Sequence, residues 1–206
     1  MNKPMTIIAI VGSYRKGGIV DRAVDEILDA ARDAGADTEK ILLTDKQIEF
    51  CTNCRACMQQ DGAERGACAI VDDMNAILDR IEASDAIVLA SPMNFGTVTA
   101  IMKSFIERLA CYAHWPWGQP APKMRNRVKG KRAVLVASSA APAVIARLLS
   151  KIVGSLKQAA DVLGAKTIGV LFIGLAAQQP HQELGERTKE KARKLGKKLA
   201  SVRREE

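Results

Sequence analysis

The sequence predicts one α/β domain over residues 1–206, with a doubly wound five-stranded parallel sheet and helices on both faces. Three observations predict it. Five strand-sized apolar runs alternate with five helical patterns, as in parallel sheets with crossover helices. Each run is almost continuously apolar, as expected of strands that are covered on both faces. The chain has 206 residues, enough to bury one good core.

The five apolar runs are expected to be the strands, at residues 6–13, 40–45, 86–92, 133–138 and 167–174. In the first helical pattern, apolar residues recur at i, i+3 and i+4, and Gly35 ends it. Asp72 or Asp73 is the expected N-cap of the second helix. The five helices are expected at residues 20–31, 74–81, 98–109, 144–163 and 184–199, the fourth as one continuous helix.

The formal net charge of +8 is concentrated in two segments. Residues 123–132 hold six basic and no acidic side chains, and residues 183–206 hold nine basic against five acidic ones. No nucleic-acid-binding motif accompanies them, so we expect solvated surfaces and no nucleic-acid partner. The chain shows neither a membrane-length apolar stretch nor a secretory signal, which favours a cytoplasmic protein without a membrane partner. Its five cysteines are then expected to be free, metal-bound or catalytic.

The first strand runs directly into the glycine-rich turn at residues 12–18 and then into a helix. Such a helix start presents backbone N–H groups and a positive dipole end to an anion. Ser13 adds a hydroxyl, and Arg15 adds a donor fork suited to phosphate. The turn matches neither the dinucleotide-binding fingerprint nor the P-loop. It therefore predicts a site for one terminal phosphate.

Two further loops are expected at the same edge of the sheet. Pro92 ends the third strand, and Gly96 allows the main chain to approach a flat ligand closely. Ser138, Ser139 and Ala140 follow the fourth strand. With the strand order 2-1-3-4-5, the first and third strands are neighbours, and ligands bind at the carboxyl ends beside that switch point. The three loops are therefore expected to share one ligand.

The cysteine loop, roughly residues 48–71, contains four of the five cysteines. Cys51, Cys54 and Cys57 have the spacing C-x-x-C-x-x-C, and Cys68 follows after ten residues. This spacing leaves three hypotheses open: an iron–sulfur cluster, a zinc ion, or free redox-active thiols. Cys111 is expected to be a buried small apolar side chain.

A second long segment, the aromatic loop at residues 111–131, holds Tyr112, His114, Trp115 and Trp117. Loops of this length inside a domain are usually functional. The two tryptophans are expected to cap a ligand or pack at a subunit contact. Because a lone domain would expose these aromatic side chains, we expect a homo-oligomer, a dimer or tetramer. Neither His114 nor His181 has a neighbouring motif that indicates catalysis.

Several segments together resemble the NADPH-dependent FMN reductase and iron–sulfur flavoprotein group of the flavodoxin-like superfamily. They are GS-x-R-K-G-G at the first helix, DDM at the second, and SP-x-x-F-G-x-x-x-A-x-x-K-x-F-I-x-R after the third strand. The resemblance implies FMN, with its phosphate at residues 13–20 and its ring against residues 92–96. Ile19 and Val20 stand where the family usually has Asn-Thr, and Asn94 where it usually has Tyr. The candidate FMN-binding residues are Ser13, Arg15, Lys16, Gly17, Gly18, Ile19, Val20, Pro92, Met93, Asn94, Phe95, Gly96, Ser138, Ser139 and Ala140.

The expected function is that of an FMN-dependent oxidoreductase. NAD(P)H is the implied electron donor, and a quinone, a flavin, a metal or a protein is the acceptor. The resemblance of the cysteine loop implies a [4Fe–4S] cluster on Cys51, Cys54, Cys57 and Cys68. Two alternatives remain: an iron–sulfur flavoprotein that only carries electrons, or a non-enzymatic thiol redox sensor or interaction module. As an oxidoreductase or as an electron carrier, the protein would use the flavin for the chemistry. The sequence singles out no side chain as catalytic.

Overall fold

A computed structural model of the chain describes residues 4–125, 130–179 and 181–201. In chain order the strands are β1 (Thr6–Val11), β2 (Asp37–Leu42), β3 (Ala86–Pro92), β4 (Ala113–His114), β5 (Lys123–Met124), β6 (Lys131–Ser138) and β7 (Ala165–Ile173). The α-helices are α1 (Ile19–Asp33), α2 (Ala56–Gln59), α3 (Met74–Ala83), α4 (Ala100–Arg108), α5 (Ala143–Leu149), α6 (Ile152–Val162) and α7 (Glu186–Ala200).

The central sheet has the order β2-β1-β3-β6-β7, and all of its strands are parallel. Counting these five strands alone, this is the predicted order 2-1-3-4-5, so the flavodoxin-like topology is confirmed. The two-residue strands β4 and β5 form a separate antiparallel pair within the aromatic loop. The carboxyl ends of β1 and β3 lie side by side, with Val11 opposite Ala90. This is the switch point where the ligand loops were expected.

The sheet separates two apolar cores, which explains the nearly continuous apolar runs. On one face, Ile8 and Ile10 of β1 pack with α3, α4 and α6. On the other face, Ile7 and Ala9 pack with α1 and α7. Successive residues of a strand point to opposite faces, so a strand covered on both sides must be apolar throughout.

Two element predictions are wrong in their boundaries. The second strand lies at Asp37–Leu42, earlier than predicted, and a 3₁₀ turn at Leu43–Asp45 follows it. The fourth helical segment is two helices, α5 and α6. Ser150 is extended between them, and the Lys151 N–H donates to the Gly96 carbonyl at 2.8 Å. The apolar spacing continues through this break, and therefore the sequence pattern did not reveal it.

The other helix starts are close to the predicted ones. Thr99 caps α4, its hydroxyl accepting the Met102 N–H at 3.3 Å. Asp73 is the N-cap position of α3, while the side chain of Asp72 accepts the Met74 N–H at 3.0 Å. Of the basic segment at 123–132, residues 126–129 lie outside the described residues. Within the described ranges, no helix combines the length and the apolar character needed to cross a bilayer.

Candidate functional site

A cleft of about 710 Å³ opens at the carboxyl edge of the sheet, beside β1, β3 and β6. It combines the phosphate turn after β1, the loop after β3, the turn after β6 and the loop after β7. The residues lining it are Ser13, Tyr14, Arg15, Lys16, Gly17, Gly18, Ile19, Val20, Pro92, Met93, Asn94, Ser138, Ser139, Ala140, Ala176, Ala177, Gln179, His181 and Gln182.

The phosphate turn has the geometry of an anion site. Gly17 adopts a positive φ of 68°, which a glycine tolerates without strain. Gly18 is the N-cap residue of α1, and among the described residues no side-chain hydrogen bond caps the start of this helix. The first N–H groups of a helix have no acceptor within the helix itself, so those of α1 are left for a ligand in the cleft. The Ser13 hydroxyl accepts the Arg15 N–H at 3.2 Å and shapes the turn.

Asp21, in the first turn of α1, is an additional support of the phosphate turn. Its side chain is buried and accepts the Gly17 N–H at 2.7 Å. Lys40 on β2 donates to the same carboxylate at 2.8 Å and to Asp25 at 2.6 Å. Burial alone would lower the pKa of Lys40, but hydrogen bonds to these two carboxylates raise it above its usual value. The pairing offsets the negative charge of Asp21 near the anion site.

Backbone hydrogen bonds join the remaining loops of the cleft. The Met93 N–H donates to the Ser138 carbonyl at 2.8 Å, which joins the loop after β3 to the end of β6. The Ala176 N–H donates to the Ser139 carbonyl at 2.8 Å, which adds the loop after β7. Ser138 and Ser139 are both buried. The walls of the cleft are therefore fixed by the main chain.

Thirteen of the fifteen candidate FMN-binding residues line this cleft. Phe95 and Gly96 do not: the Phe95 side chain is fully exposed on a residue with a φ of 47°. Tyr14, whose hydroxyl accepts the Ile101 N–H at 3.1 Å, also lines the cleft but was not predicted from the sequence, and neither was the loop after β7. The rule that ligands bind at the carboxyl ends of strands could have predicted that loop. It brings His181 into the wall of the cleft.

The cysteine loop leaves the carboxyl end of β2 and ends at α3. Cys57 lies at its centre: burial raises the pKa of the Cys57 thiol, and negative charge on Cys68, Cys51 or Cys54 would raise it further. Cys54 is exposed, and the backbone N–H of Ala56 lowers the pKa of its thiol. Cys54 and Cys57 therefore differ in how readily their thiols ionise.

Two side chains of this loop, Arg55 and Gln59, hold it against the aromatic loop. The guanidinium of Arg55 lies between the rings of Trp115 and Trp117, 4.0 and 4.1 Å from their centres. Arg55 also donates to the Trp115 carbonyl at 2.6 Å, and the Gln59 amide donates to the same carbonyl at 2.9 Å. The tryptophans thus pack against the C-x-x-C-x-x-C segment. Trp117 nevertheless stays 69% exposed.

A backbone contact folds the second half of the cysteine loop back on the first. The Gly66 N–H donates to the Cys111 carbonyl at 2.8 Å. A Cβ atom on Gly66 would lie 1.8 Å from the Cys57 carbonyl oxygen, which real structures do not allow. Cys111 itself is buried, as predicted, and burial raises its thiol pKa to about 12. It behaves as an apolar side chain.

The two sites differ in how well they are formed for a ligand. The cleft has uncapped helix N–H groups at one end and apolar and backbone walls beyond, which fits a flat ring system with one phosphate. The cysteine loop supplies soft thiolate donors of the kind that iron–sulfur clusters use. Over the described part of the chain, however, no three His, Cys, Asp or Glu side chains are arranged to hold a metal ion.

Comparisons with known proteins agree with this fold and cleft. The family model for NADPH-dependent FMN reductases matches residues 5–179. An iron–sulfur flavoprotein of Archaeoglobus fulgidus is 30% identical over 200 residues, covering 96% of this chain and 80% of the relative. An iron–sulfur flavoprotein of Methanosarcina thermophila is 32% identical over 104 residues, 50% of this chain and 52% of the relative. With that relative, the match is confined to about half of each protein.

Among solved structures, an FMN-dependent NADH-azoreductase from Bacillus anthracis in complex with FMN superposes with a TM-score of 0.65. The superposition covers 96% of this chain and 98% of that one at 12% identity, so it shows a common fold. The family match spans the sheet, the phosphate turn and the loop after β3. The chain therefore belongs to the NADPH-dependent FMN reductase family of flavodoxin-like proteins, and it is an FMN-dependent oxidoreductase.

Proposed function

We propose that FMN occupies the cleft at the carboxyl edge of the sheet and takes electrons from NAD(P)H. The observation that carries this proposal is the meeting of the uncapped start of α1 with the loops after β3 and β6 around one cleft. In this arrangement, the phosphate lies on the backbone of residues 13–20. The ring lies along Pro92, Met93 and Asn94.

The residues of the cleft bind and orient the cofactor. Backbone N–H groups of the phosphate turn and the exposed guanidinium of Arg15 hold the phosphate. Ile19 and Val20 carry no polar side chain, and hence the main chain supplies most of the donors at this end. FMN supplies the chemistry when it is bound, since it accepts a hydride and can release electrons singly or in pairs.

The polar loop after β7 is the proposed wall for the nicotinamide substrate or the electron acceptor. Gln179, His181 and Gln182 line the cleft there, and the carbonyl of Leu175 receives the Gln182 amide at 2.8 Å. Lys16 stands at the rim and pairs with Asp45 at 2.6 Å. Basic and amide groups at a cleft entrance attract and orient a phosphorylated substrate.

For the cysteine loop, we propose a [4Fe–4S] cluster on Cys51, Cys54, Cys57 and Cys68 that exchanges electrons with an outside donor or acceptor. Two findings support it: the iron–sulfur flavoproteins among the relatives, and a Cys57 thiol whose pKa negative charge on Cys68, Cys51 or Cys54 would raise. Metal sites commonly close only when the metal binds, so the open arrangement is compatible with ligation. The competing hypotheses are a zinc ion bound to these cysteines, or free thiols that are redox-active.

The test is an anaerobic preparation of the whole chain with FMN, iron and sulfide. Adding NADPH or NADH without oxygen should bleach the flavin absorbance, and bound FMN should approach one per chain. If FMN binds but neither nucleotide bleaches it, the proposed donor is wrong and the electron-carrier alternative is favoured. Absence of bound FMN would contradict the proposed cofactor site itself.

The metal proposal needs a separate measurement of iron and zinc in the same preparation. Cys54→Ser should abolish bound iron, whereas Cys111→Ser should leave it unchanged, because Cys111 is a buried residue behind the loop. Zinc in place of iron would select the zinc hypothesis. Wild-type protein without either metal would leave the redox-active thiols as the function of the loop.

A further inference from the structure

Arg108, at the end of α4, is a charged side chain that the flavin cleft does not use. Only 1% of its side chain is exposed, although it carries a permanent positive charge. Buried charges are normally paired and hydrogen-bonded, because desolvation is costly. Its partners therefore show what this charge does.

The guanidinium joins the two ends of the cysteine loop. At the start of the loop, it donates to the Glu49 carbonyl at 3.0 Å. At the end, it forms a two-pronged pair with Asp72, in which the second contact measures 3.1 Å. Asp72 in turn accepts the Glu49 N–H at 2.9 Å. One buried pair thus closes residues 49–72 onto α4.

Arg108 also adjoins Cys68, the cysteine that is farthest from the others in sequence. Burial alone would lower the pKa of Arg108, but the hydrogen bond to Asp72 raises it, and negative charge on Cys68 would raise it further. The Nε–H of Arg108 is buried and has no acceptor in the described residues. A buried donor without a partner costs free energy, so this N–H is free to take an acceptor.

We propose that Arg108 is the positioning residue of the cysteine site: through Glu49 and Asp72 it fixes both ends of the loop that carries Cys51, Cys54, Cys57 and Cys68. The inference rests on the proposed role of these thiols as metal ligands. Mutation of groups that orient metal ligands from behind typically lowers metal affinity by about 10- to 100-fold. Arg108 therefore sets how tightly the four thiols bind metal.

The test uses the reduced, metal-free whole chain with cobalt(II) as the probe, whose thiolate charge-transfer band reports the bound sulfurs. Arg108→Gln should weaken cobalt binding about 10- to 100-fold, the range for residues behind a metal ligand. Arg108→Lys keeps the charge but cannot bridge Glu49 and both oxygens of Asp72. Its cobalt affinity should therefore lie between those of Arg108→Gln and the wild type. The matched control is Arg65→Gln, because Arg65 lies in the same loop but pairs with Asp79 and Glu82. This control should bind cobalt like the wild type.

Hydrogen–deuterium exchange on the same metal-free proteins measures positioning without any metal. Exchange at residues 48–71 should be faster in Arg108→Gln than in wild type and in Arg65→Gln, while exchange in β1 and β3 stays unchanged. If Arg108→Gln does not fold, Arg108→Lys and Asp72→Asn provide the same comparison. Unchanged exchange in the loop, or unchanged cobalt affinity in a wild type that binds cobalt, overturns the inference. If the wild-type protein binds neither cobalt nor iron, only the metal site is contradicted. The hydrogen–deuterium exchange of the loop then decides whether Arg108 is a positioning residue.

Discussion

Arg15 is an exposed side chain that should affect which ligand binds but not how the chain folds. It lines the cleft at the phosphate turn, and the turn itself is closed by the Ser13 hydroxyl and by backbone bonds. An arginine on a phosphate forms a charge-assisted hydrogen bond, which is stronger than one between neutral groups. Arg15 is therefore the residue that should distinguish phosphorylated from unphosphorylated flavins.

Arg15→Ala should weaken FMN binding by about 1.5 to 3 kcal/mol, the scale of a hydrogen bond to a charged group. Riboflavin has no phosphate, so its affinity should hardly change. Flavin fluorescence titrations of wild type and variant with both ligands measure this difference. Equal losses for FMN and riboflavin would show that Arg15 acts through the conformation of the turn.

The thiols of the cysteine loop should react in a defined order. Cys54 is exposed and has a lowered pKa, because the Ala56 N–H stabilises its thiolate. Burial raises the pKa of Cys57, and it raises that of Cys111 to about 12. At neutral pH, iodoacetamide should therefore alkylate Cys54 before Cys57, and Cys111 last, since the thiolate is the reactive form.

Mass spectrometry of peptides from briefly alkylated, metal-free protein measures this order. Denatured protein is the control, because its thiols should react at similar rates. Faster alkylation of Cys57 than of Cys54 in the folded protein would contradict the loop geometry described above. Protection of all four loop thiols after iron is added would in turn support their ligation.

At the scale of the elements, the junction between the cysteine loop and α4 should be sensitive to acid. Burial would raise the pKa of Asp72, but its hydrogen bonds to Arg108, Glu49 and Met74 hold it below the ordinary value of 3.8. A carboxylate with a lowered folded-state pKa stabilises the fold above its ordinary pKa, and that stability is lost as the pH falls. The contribution of Asp72 is thus complete at neutral pH and declines below about pH 4.

Asp72→Asn should lower the free energy of unfolding at pH 7 by about 3 to 5 kcal/mol, because it leaves Arg108 buried without its charge partner. The difference between variant and wild type should shrink as the pH falls from 5 to 3, measured by urea unfolding at each pH. Asp29→Asn is the control, since Asp29 forms an exposed pair with Arg32. A difference that does not depend on pH would contradict the ionic role of Asp72.

The elements also show how far the sequence could predict the structure. The parallel sheet followed from near-continuous apolar runs, and its strand order followed from the flavodoxin-like topology. Thirteen candidate site residues line one cleft because the strand ends dictate which loops meet. The break between α5 and α6 was not predictable from apolar spacing, because it depends on the contact of Lys151 with Gly96. The Arg55 stack between two tryptophans was missed for the same reason. Contacts between distant loops leave no periodic signal in a sequence.

At the scale of the whole molecule, an apolar surface remains uncovered on α5. Val144, Leu148 and Leu149 are 73%, 79% and 82% exposed, and Ile145 is 53% exposed. The aromatic loop was expected to be the subunit contact, but Tyr112 is buried, its hydroxyl donating to Glu82 at 2.7 Å. Contiguous exposed apolar side chains typically mark an interaction surface. The α5 surface is therefore the stronger candidate for contact with a second copy.

We expect the protein to form a homo-oligomer through α5. Light scattering should give a mass above 22.3 kDa, and the double substitution Leu148→Ser with Leu149→Ser should shift it toward the monomer. Trp117→Ser is the matched control, because it removes an exposed apolar side chain from the aromatic loop instead. A monomeric wild type would contradict this use of α5, and dissociation by Trp117→Ser alone would favour the aromatic loop.

The close approach of Gly66 to Cys57 bears on how the cysteine motif should be compared between proteins. The chain leaves Cys57, makes an exposed excursion, and returns to the Cys57 carbonyl two residues before Cys68. Arg125 fastens the excursion by donating to the carbonyls of Cys57, Gln60 and Gly62. The distance between the last two thiols is thus set where the excursion closes, and additional residues at its tip add little entropic cost. Ten residues in sequence thus amount to a short interval in space, because the chain is back at the Cys57 carbonyl by Gly66.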